Sequence, residues 1–164
     1  MKILTLVRHA KSDWNNTKLS DKERVLNDRG LRDAPMMAKR VVKLGIRPSL
    51  IISSPAVRTW TTAKIFATEI GYPEEFLQRE ESLYLASLND LLDAVMAQDK
   101  GFNDLMLVGH NPGLTEFANF LVPGICNNLP TAGVVSVQFD QEDWNLYGQP
   151  KTELLTFEYP KSGE

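Results

Sequence analysis

Lys2-Ile3-Leu4-Thr5-Leu6-Val7-Arg8-His9-Ala10-Lys11-Ser12-Asp13-Trp14-Asn15 opens the chain, and its reading decides the rest. Ile3 to Val7 is a short apolar, β-branched run without clean polar alternation. That pattern marks a strand buried on both faces. Arg8 and His9 follow at once, and a polar segment comes after them. A buried parallel strand thus ends by presenting a cation and an imidazole just beyond its carboxyl end, where open α/β sheets place their ligands.

The pattern recurs. Leu50-Ile51-Ile52-Ser53-Ser54-Pro55 is a second apolar run, broken by proline, with Arg58 three residues on. Leu105-Met106-Leu107-Val108-Gly109-His110-Asn111-Pro112-Gly113 is a third, ending in the only other histidine of the chain. If the strands are parallel neighbours, both histidines and two arginines converge on one rim. Such a rim suits phosphate. Arginine offers a planar fork of donors that stays charged at any working pH. A neutral imidazole can attack phosphorus and form a covalent intermediate, and a second one can donate to the oxygens as charge develops.

These segments resemble those of the histidine phosphatase superfamily, also called phosphoglycerate mutase-like. Arg8-His9-Ala10-Lys11-Ser12-Asp13-Trp14-Asn15 is similar to the family's Arg-His-Gly-Glu-Ser-x-Trp-Asn. Ser53-Ser54-Pro55-Ala56-Val57-Arg58-Thr59-Trp60-Thr61-Thr62-Ala63 resembles Ser-Pro-x-x-Arg-x-x-x-Thr-Ala, and Val108-Gly109-His110 resembles the late Gly-His segment. The short length and the Arg-His-Ala opening look most like the SixA-type phosphohistidine phosphatase branch. Two positions depart from the pattern. Ala10 replaces glycine, which fits only if the turn needs no positive φ. Lys11 replaces the mutase acid and makes the mouth more basic.

The resemblance implies hydrolysis of a phosphate ester or phosphoramidate through a phosphohistidine on His9, with Arg8, Arg58 and His110 holding the oxygens. It also implies phosphate contacts from Asn15, which matches the mutase asparagine, and from Arg24, since Arg24-Val25-Leu26-Asn27 resembles a SixA-like segment near the phosphate. Mutase-like enzymes place a glutamate between the second and third motifs, which makes Glu81 the candidate acid for the leaving group. The expected substrate is a phosphorylated protein or a small phosphorylated molecule, with phosphohistidine protein favoured. The alternatives are a small-molecule phosphomonoesterase or mutase on the same site, or a phosphoprotein-binding module without turnover. No cofactor or metal is expected: two histidines lack a third ligand, and the arginines already supply positive charge.

Composition sets outer bounds. The 164 residues fit one domain, residues 1–164, with 43% apolar and 24% charged residues. A net charge of −3 implies no broad basic surface, so nucleic acid is not an expected partner. No apolar stretch approaches the ~20 residues of a membrane span, and no secretory leader is expected. The single Cys126 excludes an internal disulfide and suits a cytoplasmic location.

Between the strands the periodicity is helical. Residues 16–23 read as a loop. A helix over about 29–44 is capped by Asn27 or Asp28 and stopped by Gly45. Its inward stripe is Leu31, Ala34, Ala38, Val41 and Val42, and Pro35 can stand only in its first turn or two. A helix over about 56–70 follows the second strand. Residues 76–86 carry no clear pattern. Ser87 to Asp90 resembles a capping box opening a helix to about Gln98, and Pro112-Gly113 opens another. Two late strands, 133–139 and 153–159, flank a hairpin loop. Alternating strands and helices with short joints predict an α/β fold: a three-layer sandwich with a mostly parallel central sheet and helices on both faces.

Overall fold

The computed structural model describes residues 1–163. Its centre is β1, Lys2–Arg8. On one side β1 pairs in parallel with β4, Asp104–Gly109, and on the other it pairs antiparallel with β5, Val134–Phe139. Beyond β4 lie β2, Leu50–Ser53, and a two-residue edge strand β3, Gln78–Arg79, both parallel. Beyond β5 lies β6, Thr152–Glu158, antiparallel to it. The six strands run in the order β3-β2-β4-β1-β5-β6. The sheet is therefore mostly parallel, as expected, with β5 the strand that runs the other way.

Two apolar layers follow from the strand period of two. On one face Leu4, Leu6, Leu105 and Leu107 pack under α3, Leu88–Met96, and α4, Gly113–Leu121. On the other, Val7, Ile51, Met106 and Val108 pack under α1, Asp28–Lys43, and α2, Val57–Ile70. Helices cover both faces, so the central strands need no polar alternation.

The helix ends follow the sequence. The Asn27 side chain accepts from the Gly30 N–H at 2.9 Å. Ser87 and Asp90 form the reciprocal box. Gly71 closes α2 in the left-handed region at φ 84°, where a side chain would be strained. Two expectations for α1 fail. Its buried stripe is Ala34, Met37, Ala38 and Val41, whereas Leu31 is 50% exposed and Val42 only half-buried. At 100° per residue, Leu31 and Val42 sit roughly 70–90° round from the stripe's centre. Pro35 is the eighth residue of the helix, deeper than expected. The carbonyl it leaves without an N–H belongs to exposed Leu31.

Register sets the rim. Arg8 lies opposite Gly109, and Ser53 opposite Val108. The next residues along, His9, Ser54 and His110, therefore leave the sheet together, side by side at one edge.

Candidate active site

His9 is buried at the end of β1. Its Nδ1 lies 2.8 Å from the Ala10 carbonyl. A carbonyl can only accept, so Nδ1 carries the proton, and Nε2 of the neutral ring keeps its lone pair. Burial drives the His9 pKa down. The Ala10 hydrogen bond opposes this, the Arg58, Arg8 and Arg24 charges add to it, and the value settles at about 4. The ring is therefore neutral at physiological pH. Ala10 holds the turn from both ends: its N–H donates to Thr62 Oγ1 of α2 at 3.0 Å. Its φ is not positive, so the methyl group in place of glycine's hydrogen adds no backbone strain.

A cleft of about 260 Å³ opens over His9, lined by Arg8, Lys11, Arg24, Arg58 and His110 among others. Arg8 is held by a bond from Nη1 to the Leu129 carbonyl at 2.9 Å. Arg58, in the first turn of α2, is only 2% exposed. Its Nη2 lies 3.3 Å from His110 Nδ1. The His9 and His110 ring centres are 5.4 Å apart. His110 turns its other nitrogen, Nε2, to Ser54 Oγ at 2.8 Å. Burial, then the Arg58 charge and His9, lower its pKa to about 3.

Arg24 joins these residues. A bridge between Ser12 and Leu26 folds the polar loop back over the β1 exit. This lets Arg24 donate to Ser12 Oγ at 2.5 Å and stack its guanidinium carbon 3.4 Å from the centre of the Trp14 ring. Cation–π stacking of this kind is worth roughly 0.5–2 kcal/mol.

Two other predicted residues are not brought in. Asn15 is exposed, and its backbone N–H is bound to the Asp13 carboxylate. Glu81 stands in a short 3-10 turn, Glu81–Leu83, with its side chain 76% exposed and paired with Lys22 at 3.0 Å. The segment does reach the site, but through the residues after Glu81. Tyr84 donates to Asp21 Oδ2 at 2.5 Å, and exposed Leu85, at φ 49°, lines the mouth.

Asp21 is the residue that the sequence reading missed. Its carboxylate accepts from Arg58 Nη2 at 2.9 Å, from Arg24 Nη2 at 3.1 Å and from Tyr84. Burial would raise its pKa, but the hydrogen bonds from Tyr84 and Arg58, together with the Arg58 charge, outweigh this and bring it to about 2. The one signal in the sequence was an acid three residues before Arg24, a spacing that lets side chains meet across one helical turn.

Comparison with known proteins agrees with this geometry. Residues 4–83 match the model of the histidine phosphatase superfamily (branch 1). An uncharacterised chloroplastic protein of Arabidopsis thaliana is 32% identical over 149 residues, which cover 86% of this chain and 68% of that protein. The chain belongs to the histidine phosphatase superfamily.

Within the superfamily, a 2,3-bisphosphoglycerate-dependent phosphoglycerate mutase of Beijerinckia indica is 29% identical over 55% of this chain. The match spans only 44% of that mutase, so this chain aligns with less than half of its length. Among solved structures, the SixA protein of Agrobacterium tumefaciens carries a provisional assignment as a phosphohistidine phosphatase. It superposes with a TM-score of 0.82 at 25% identity, covering 97% of this chain and 98% of that one. A protein histidine phosphatase SixA solved with tungstate gives a TM-score of 0.81 at 18% identity, covering 99% of both chains. At that identity the second likeness is one of fold alone.

Proposed function

We propose that this member of the superfamily is a phosphatase that works through a phosphohistidine on His9, and that it acts on phosphohistidine carried by a protein. The observation that carries this reading is the His9–Ala10 hydrogen bond, which leaves a bare Nε2 in a cleft lined by arginines. The Nε2 lone pair attacks phosphorus while Arg8, Arg58 and Arg24 hold the non-bridging oxygens. The P–Nε2 bond forms, and the bond to the leaving nitrogen breaks. The departing imidazole takes its proton from water. A second water then attacks phosphorus, the P–Nε2 bond breaks, and inorganic phosphate leaves.

Three features favour a phosphoramidate on a protein. Among the described residues no acid able to donate a proton stands over the nucleophile: Asp21 is ionised at neutral pH, and Glu81 points to solvent. An imidazole leaving group needs little such help, whereas an alkyl phosphate does. At about 260 Å³ the cleft is below the roughly 300–1,000 Å³ of small-molecule pockets, which suits a group presented by a larger body. The likeness to the Agrobacterium tumefaciens SixA protein, assigned as a phosphohistidine phosphatase, supports the same choice. The likeness to phosphoglycerate mutases supports the alternative of a small phosphorylated metabolite. The free thiol of Cys126 fits a reducing compartment such as the cytoplasm, and no helix among the described residues is long and apolar enough to cross a membrane.

The test is single turnover on a phosphohistidine-bearing protein, with acid-labile, base-stable phosphate trapped on the enzyme. The label should appear on the wild type and vanish in His9→Ala. A parallel panel of sugar phosphates and glycerate phosphates separates the two substrate classes. Full activity in His9→Ala would overturn the mechanism. Turnover of a metabolite with none on phosphoprotein would overturn the substrate.

A further inference from the structure

We infer that Ser54 is a positioning residue for His110: it sets which ring nitrogen carries the proton, and it turns from acceptor to donor when an oxyanion enters the cleft. The inference rests on the proposed phosphatase reading and deepens it.

His110 has two buried neighbours, Arg58 Nη2 at 3.3 Å from Nδ1 and Ser54 Oγ at 2.8 Å from Nε2. A guanidinium can only donate. His110 Nδ1 must therefore accept, and the proton of the neutral ring sits on Nε2, directed at Ser54. Ser54 Oγ also accepts from the Ala56 N–H at 3.3 Å. Both of its contacts as they stand use it as an acceptor, so its own hydroxyl proton is not engaged by either. Ser54 is fully buried.

This arrangement has the wrong polarity for catalysis. The nitrogen of His110 that faces Arg58 and the cleft offers a lone pair, and a lone pair repels phosphate oxygen. An oxyanion seated between His110 and Arg58 accepts from the guanidinium and asks for a second donor at Nδ1. A proton on Nδ1 leaves Nε2 bare, and the idle hydroxyl proton of Ser54 then turns to it at the same 2.8 Å. The ring loses one proton at Nε2 and gains one at Nδ1, exchanged through water in the open cleft. Its charge stays zero, in keeping with its cationic surroundings. A hydroxyl is the side chain that serves both states, because it can donate or accept without moving its oxygen. Alanine serves neither state.

The test reads the tautomer directly. Nitrogen-15 chemical shifts of the His110 ring are measured in the full-length protein, with no oxyanion and with tungstate at saturation. The expected result is a protonated Nε2 and bare Nδ1 without tungstate, reversed with it. In Ser54→Ala the reversal should be lost or incomplete. Its kcat on a chromogenic phosphate should fall about tenfold or more, since a misaimed oxyanion donor costs mainly in the transition state, with KM changed less than threefold. Ser54→Thr, which keeps the hydroxyl, should restore the reversal. The wild-type measurement stands even if a variant fails to fold. Three outcomes overturn the inference: the same tautomer with and without tungstate, both nitrogens protonated in the complex, or wild-type kcat in Ser54→Ala. A wild type that reverses its tautomer but forms no phosphohistidine on His9 would instead count against the proposed mechanism.

Discussion

Arg58 is bound to Asp21 twice: Nη1 donates to the Asp21 carbonyl at 2.6 Å and Nη2 to its carboxylate at 2.9 Å. The same carboxylate accepts from Arg24. Asp21 thus aims two guanidinium forks and at the same time occupies donors that a phosphate would use.

Replacing Asp21 with asparagine separates these effects. The amide keeps one oxygen, which can still accept from Arg58, turns an NH2 group toward Arg24 in place of the second oxygen, and removes the negative charge that competes with phosphate. Asp21→Asn should bind inorganic phosphate more tightly, with its inhibition constant lowered about tenfold, or roughly 1.4 kcal/mol. Weaker inhibition than in wild type would mean that aiming outweighs competition.

The histidines set the acid limb. His9 must be neutral to attack, and its pKa is held at about 4. The pH profile of kcat/KM on a chromogenic ester should therefore be flat from about pH 8 down to pH 5 and fall near pH 4. An unperturbed imidazole would place the limb near 6.5. Stability follows the same sign. The folded pKa values of His9 and His110, about 4 and about 3, lie below the unfolded value. The unfolded chain thus binds protons first, and stability present above pH 6.5 drains away as pH falls toward 3. The drop in melting temperature between pH 7 and pH 4.5 should shrink in His110→Ala.

The residues legible in the sequence are those whose position follows from local pattern. Apolar runs announced β1, β2 and β4, and Arg8, His9 and His110 stand at their ends. Arg58 sits one short joint further on. β3 was not legible because Gln78 and Arg79 are both exposed and pair along a bare sheet edge. Asp21 and Ser54 gain their main roles through partners distant in sequence: Asp21 reaches Arg58 across 37 residues, and Ser54 reaches His110 across 56. Their local surroundings, a polar loop and a Ser-Pro turn, say nothing of these long-range contacts; only the spacing of Asp21 from Arg24 hinted at a role. Glu81 was inferred from its place between motifs, and a 3-10 turn directs its side chain to solvent.

That placement makes Glu81→Gln a clean control. An exposed pair such as Glu81–Lys22 is worth about 0–1 kcal/mol. The variant should keep kcat within about twofold on phosphohistidine protein. A loss of two orders of magnitude would restore Glu81 as the acid and require the segment before Tyr84 to move inward.

Gly30 couples the fold to the site. It is buried in the first turn of α1, and a Cβ there would meet the Lys11 carbonyl oxygen at 2.2 Å. Backbone on both sides cannot yield as a flexible side chain would. Gly30→Ala should destabilise the protein by about 1–3 kcal/mol, the range for overpacking. It should also displace the Lys11–Ser12 segment that holds Arg24, so kcat/KM should fall at temperatures where the variant is still folded. Loss of stability with unchanged kinetics would show that the loop absorbs the shift away from the cleft.

Arg24 gives the sharpest test of the clamp, because its placement depends on shape as well as charge. Its fork meets Ser12 Oγ on one edge and Asp21 on the other, while its face lies on the exposed ring of Trp14. Lysine would keep the charge but could not make both edge contacts and stack at once. Long-range attraction for a phosphate would survive in Arg24→Lys, and directed hydrogen bonds would not. If Arg24 grips the phosphate already in the bound complex, KM should rise about tenfold with kcat little changed; if its contact strengthens only in the transition state, kcat should fall and KM stay put. The expectation here is the first, because Ser12, Asp21 and Trp14 already hold the Arg24 fork in place before a substrate arrives. Trp14→Ala should move KM in the same direction by a smaller factor, about two- to fivefold, since it removes only the stacking surface. Kinetics in Arg24→Lys indistinguishable from wild type would reduce Arg24 to a strut for the loop that carries Asp21.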